Sequence, residues 1–153
     1  MKQKFIGMPG LNKYLRNLPD EASDQLKAAS DEIADRVADE ASGRARGLHP
    51  AARLVAGALT TPASRIPTVK LGNSRKLPPH GDGRPRTGRR QTVGDLIYGA
   101  EFGGGKRPST RQFPEHRGRR GYFLWPTIRD NGRYIRTTYS AALDRALQVT
   151  PTQ

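Results

Sequence analysis

The sequence predicts an α+β domain with a long N-terminal helix, a small antiparallel sheet with extended basic loops, and a long C-terminal helix. Three observations predict it. An Ala-rich acidic stretch near the N-terminus carries apolar residues at helical spacing. The middle of the chain holds only short apolar or β-branched segments broken by Pro and Gly. The chain then closes on a second helical stripe, the best-patterned segment it has. With 153 residues and 16.8 kDa, one domain over 1–153 is expected.

Each element follows from its residues. Leu26, Ala29, Ile33, Val37 and Ala41 recur at steps of three and four, the spacing of one helix face. Pro19 and Asp20 sit where such a helix starts, and acids in its first turns suit the helix dipole. Gly43 and Gly47, with Arg44 and Arg46 beside them, mark its end. A shorter helical piece over about Asn12 to Leu18 precedes it.

Residues 53–60 and 65–71 are short segments separated by Thr61-Pro62, and Pro67 restricts the second to a sheet edge or a strand start. Residues 72–92 carry Arg75, Lys76, Arg84, Arg86, Arg89 and Arg90 against Asp82 alone, with Leu77 the only aliphatic residue. Such a segment has no means of making its own core and reads as a basic loop or arm. Val93 to Gly105 reads as a buried strand entering a glycine turn. A second basic loop, 106–120, holds Lys106, Arg107, Arg111, Arg119 and Arg120.

In the last segment Trp125, Ile128, Gly132, Ile135, Tyr139, Ala142 and Ala146 are spaced three and four apart, with Pro126 in the first turn. Tyr122, Phe123, Trp125, Pro126, Ile128, Ile135 and Tyr139 are expected to form the start and core face of this helix. Asn131-Gly132 is a point where it is expected to kink or split, since an interior Gly costs about 0.5–1 kcal/mol against Ala.

Composition excludes several classes. There is no Cys, so disulfides, Cys-based zinc sites, iron–sulfur clusters and thiol nucleophiles are out. No apolar run approaches the length of a membrane span, and Met1 to Gly10 lacks the apolar stretch of a signal peptide. The net charge is +13, from 27 Lys and Arg against 14 Asp and Glu. It is unevenly placed: all eight acids of the first 40 residues lie between Asp20 and Glu40. Leu, Ile, Val and Phe number 28 of 153, few enough that neighbouring molecules are expected to complete the fold.

No constellation carries catalytic chemistry. Ala100 to Arg107 approaches a phosphate loop, but Ala100 stands where the first Gly is needed and Arg107 where Ser or Thr would hold magnesium. His49, His80 and His116 lie far apart in Pro- or Gly-rich surroundings, and no acid sits at a metal-binding offset from them on a shared helix face. No nucleophile elbow is present. No cofactor or metal is expected, and the chain does not read as an enzyme. The basic loops fit phosphate contact by charge alone, or docking on an acidic protein surface such as the chain's own first helix.

Residues 93–104, Val-Gly-Asp-Leu-Ile-Tyr-Gly-Ala-Glu-Phe-Gly-Gly, resemble the aromatic, alanine, glutamate-phenylalanine-glycine core of tailed-bacteriophage neck proteins, also called tail-completion or minor tail Z-like proteins. Arg107-Pro108, Arg111-Gln112-Phe113 and Arg120 to Thr127 look like the actinobacteriophage branch, in which a loop leads into an aromatic-proline-initiated terminal helix. The resemblance is sharp over 93–128 and architectural elsewhere.

It implies a structural virion protein, assembled in the host cytoplasm, that forms a ring in the head–tail neck. Its partners would be copies of itself, a head-side connector or stopper, a tail terminator or tail tube, and the DNA passing through the channel. Six copies are expected, and twelve would also fit a cyclic connector. Glu101, Phe102, Gly103 and Gly104 would form a structural turn, with Phe102 anchored in the core and Glu101 paired with an arginine. Arg75, Lys76, Arg84, Arg86, Arg89, Arg90, Lys106, Arg107, Arg111, Arg119 and Arg120 would contact other subunits or phosphates. A ribosome-associated or general nucleic-acid-binding protein is the alternative reading.

Overall fold

In the computed structural model the described residues are 15–77, 91–104 and 113–149. Helix α1 (Asp20–Arg46) begins after Pro19, with Asp20 and Glu21 in its first turn and Arg44 and Arg46 in its last. The stripe from Leu26 to Ala41 is buried as its spacing predicts, and Ala22, Ala34, Ala38 and Ala45 widen it. These small side chains let neighbouring elements approach the helix closely on more than one side.

His49 caps the short helix α2 (Pro50–Val55), which has proline at its first position. A 3₁₀ turn, Ala56–Ala58, leads into strand β1 (Leu59–Thr60). This strand pairs antiparallel with β2 (Lys70–Leu71), Leu59 opposite Leu71 and Thr60 opposite Lys70. Only the end of the predicted 65–71 strand is therefore paired, beyond Pro67. The chain flanking the first basic loop is tied together: Leu77 N–H donates to Gln91 O, Val93 N–H to Arg75 O and Gly94 N–H to Asn73 O, at 2.9–3.1 Å.

Residues 93–102 are a helix, α3 (Val93–Phe102), where the sequence reading expected a strand. The reason is local. The Asp95 carboxylate accepts the Thr92 N–H at 2.7 Å and the Thr92 hydroxyl at 2.9 Å, fastening the first turn. Val93, Leu96 and Ala100, three and four apart, then form the buried face.

The terminal helix is divided as the Asn131-Gly132 pair predicts, into α4 (Leu124–Asp130) and α5 (Gly132–Val149). The break is slight, because Asn131 N–H still reaches Thr127 O at 3.0 Å and Ile135 N–H reaches Asn131 O at 2.9 Å. Asn131 is buried, and its side-chain amide donates to Glu40 at 2.5 Å and to Thr127 O at 3.1 Å.

Helix α5 packs along α1, where Tyr134 donates to Glu32 at 2.9 Å, and Arg44 of α1 reaches Asp130 at the end of α4 at 2.7 Å. Apolar burial is divided between the ends of α1. One cluster joins Ala41 and Ala45 to Val55, Leu96 and Phe123. The other joins Leu15, Leu18 and Leu26 to Ala142 and Ala146. A chain with few large aliphatic residues thus builds two small cores on one long helix.

Candidate functional site

The residues singled out by sequence converge where the end of α3 meets the start of α4. Helix α4 begins at Phe123, whose side chain has no polar atom to cap it. Glu101 supplies the cap from the far end of α3. Its Oε2 accepts the N–H groups of Phe123 at 3.2 Å and Leu124 at 3.0 Å, and its Oε1 accepts the Trp125 N–H at 2.9 Å. Pro126 has no N–H, and Thr127 N–H bonds to Phe123 O at 3.1 Å. Every donor of the first turn is therefore satisfied or absent.

Glu101 is only 2% exposed, so this is a buried carboxylate whose charge is met by backbone amides and the positive end of a helix. Among the described residues no arginine pairs with Glu101; the hydrogen bonds it accepts come from main-chain groups 22–24 residues along the chain.

Glycines make room for the joint. Gly103 ends α3 at φ +85°, and a Cβ there would lie 2.2 Å from the Glu115 carbonyl oxygen. Gly121 has φ +68°, and a Cβ on it would lie 2.2 Å from Glu101 Oε1. Gly104 N–H donates to Pro114 O at 2.8 Å and Arg117 N–H to Phe102 O at 2.9 Å, so the return chain lies against the end of α3. Gly99 faces the Phe113 ring, which would be 2.5 Å from an added Cβ.

Two expectations are corrected. Phe102 is half-buried and meets Tyr98 with ring centroids 5.0 Å apart; the fully buried aromatic anchor is Phe123. Trp125 is 46% exposed rather than in the core, because Phe123, Thr127 and Asn131 turn α4 onto its buried face. Ile128, Ile135 and Tyr139 are half-buried, and Tyr139 donates its hydroxyl to Arg65 O at 2.9 Å.

His49 ties this joint to α2. Its Nδ1 accepts the Ala52 N–H at 3.3 Å, which leaves Nε2–H to donate to Ala100 O at 3.1 Å. Burial pushes its pKa below the ordinary histidine value, and Arg53 pushes the same way against the hydrogen bond to Ala100. The imidazole meets the Tyr122 ring edge-on at 5.2 Å, and the Arg117 guanidinium lies 4.2 Å over that same ring. Tyr122 donates its hydroxyl to Glu115 O at 2.6 Å.

Arg75, Lys76, Arg119 and Arg120 are exposed, and the Arg75 guanidinium reaches Leu54 O at 3.3 Å. Arg84, Arg86, Arg89, Arg90, Lys106, Arg107 and Arg111 lie outside the described residues. Among the described residues no group of His, Asp or Glu is placed to hold a metal, and no helix is long and apolar enough to cross a membrane. No protein-family model, curated protein or solved structure matches this chain.

Proposed function

We propose that this chain is a structural virion protein of the head–tail neck, forming a ring between the head-side connector and the tail terminator or tail tube. The observation that carries the reading is the joint at Glu101. The two segments that bear the resemblance, 93–104 and 120–127, meet there through three hydrogen bonds from main-chain amides to the Glu101 carboxylate. A carboxylate spent on joining two helices suits a scaffold component, since its hydrogen bonds go to main-chain amides of the chain itself.

The surface supports the same reading. Tyr98, Trp125 and Leu54 are large apolar side chains left 71%, 46% and 41% exposed, and the described core is split into two small clusters. A subunit of a closed ring completes such faces against its neighbours.

The test uses a chain in which residues 78–90 are replaced by a short Gly-Ser linker, because Leu77 and Gln91 already face each other at 2.9 Å. The reading predicts an unchanged circular dichroism spectrum and melting transition, with loss of incorporation into tailed particles. Normal incorporation of the shortened chain contradicts the assembly role of that segment. Recovery of the protein with ribosomes or free nucleic acid, and never with particles, contradicts the neck reading as a whole.

A further inference from the structure

The geometry points to a phosphodiester-binding surface at the 3₁₀ turn Gly118–Arg120 and the outer face of α4 and α5. The described chain from 117 to 136 holds Arg117, Arg119, Arg120, Arg129, Arg133 and Arg136, with Asp130 its only acid. Asp130 is already occupied by Arg44 at 2.7 Å. All six arginines are exposed, and none belongs to an ion pair among the described residues.

Two of the six are held in place before any partner arrives. The Arg117 guanidinium is stacked on Tyr122 at 4.2 Å. The Arg129 guanidinium donates to the carbonyl oxygens of Arg119 and Arg120, which fixes the turn against α4. An open depression of about 910 Å³ lies between them, lined by Arg117, Arg120, Arg129, His116, Glu115 and Pro126. Arg129, Arg133 and Arg136 then follow one helix face at steps of four and three, over about 10 Å of helix. At about 3.4 Å of duplex axis per phosphate of one strand, a track lying along that axis spans about three phosphates. Arginine's planar fork suits phosphate oxygens.

The other polyanion to hand is the acidic α1 of a second copy, and the structure argues against it. Asp24 is paired with Lys27, Glu32 holds Tyr134, Asp35 accepts from Thr61, and Glu40 holds Arg36 and Asn131. Half of the eight acids that would form that docking face already have partners within their own protomer. The surface is therefore assigned to a nucleic-acid backbone, bound by charge without regard to sequence. It rests on the neck reading only in taking channel DNA as the backbone met.

The test measures binding of the full chain to a fluorescein-labelled duplex of about 20 base pairs, by anisotropy, between about 50 and 200 mM salt. Arg119→Ser with Arg120→Ser, which removes no side-chain hydrogen bond or ion pair among the described residues, is expected to weaken binding about tenfold. It should also flatten the slope of log affinity against log salt by about 1.8. Arg133→Ser, a second and milder variant, is expected to flatten the slope by about 0.9. Arg46→Ser with Arg53→Ser, the same charge change elsewhere, should weaken binding less than about threefold. Equal loss in both double variants overturns the assignment, as does displacement of the duplex by a peptide of residues 20–40. The duplex assay reads the isolated chain, whereas ring formation is read in the particle, so either idea fails without the other.

Discussion

Glu101 and Gly121 are fitted to each other: the carboxylate that caps α4 lies where a side chain on residue 121 would begin. A Cβ at Gly121 would stand 2.2 Å from Glu101 Oε1 and 2.9 Å from the Trp125 Cβ. Gly121 is thus absent of a side chain for a reason that lies 20 residues earlier, and the cap is a two-residue device. Its role is mechanical: it fixes the direction in which α4 and α5 leave the basic loop and lie along α1.

Removing the cap should loosen the whole joint. Glu101→Ala leaves three amides, one buried and two part-buried, without acceptors and is expected to cost about 2–3 kcal/mol in urea unfolding. Glu101→Gln keeps one acceptor oxygen but turns an N–H₂ group toward a donor, and should cost about 1–2 kcal/mol. A loss below about 0.5 kcal/mol for both variants would contradict the capping role.

The fit to Gly121 predicts coupling. Gly121→Ala should cost about 2–3 kcal/mol from the clash together with its left-handed backbone. In a Glu101→Ala background the clash with the carboxylate is gone, and the penalty should fall by about 1 kcal/mol, leaving the conformational part and the 2.9 Å approach to the Trp125 Cβ. A double-mutant cycle by chemical denaturation reads this directly. Strict additivity would mean that the two residues do not share the space.

Not every glycine is held this way. Gly43 lies inside α1, is exposed, and has nothing within 4 Å of an added Cβ. Gly43→Ala is therefore expected to raise stability by about 0.5–1 kcal/mol, seen as a higher denaturation midpoint with an unchanged slope. A loss of stability would place a contact at Gly43 that the fold does not contain.

Acidification should act first through His49. Its folded pKa lies below the ordinary 6.5, mainly because burial disfavours the imidazolium. The unfolded chain therefore takes up the proton first, so the stabilising contribution is full above about pH 6.5 and is lost as pH falls below it. Protonation also deprives Ala52 N–H of its acceptor at Nδ1. Glu40, whose carboxyl is lowered chiefly by the Asn131 hydrogen bond, loses its contribution only below its ordinary 4.5, which separates the two effects. Urea midpoints at pH 7.5 and 5.5 should differ in the wild type and converge in His49→Gln. An equal pH difference in both would assign the effect to another group.

The long helices were legible because their apolar residues repeat at helical spacing over many turns, and the Asn131-Gly132 break showed as a glycine inside that spacing. Helix α3 was misread because its glycines and aromatics resemble a strand entering a turn. The signal that identifies it, Thr92 and Asp95 bracketing a first turn before Leu96 and Ala100, is short and easily outweighed. Glu101 stood out by its surroundings, but its partners could not be foreseen. Main-chain amides 22–24 residues away leave no mark in side-chain composition. Trp125 sits on the spaced stripe yet points outward, since the buried face of α4 is set by Phe123, Thr127 and Asn131, two of them polar.

The neck reading is tested most directly by the rotational symmetry of this chain within its native particle, read by electron cryomicroscopy without imposed symmetry. The account predicts a closed ring of identical copies around a central channel, between the head-side connector and the tail, with six copies expected. A single copy, or one threaded along nucleic acid outside any ring, would contradict it.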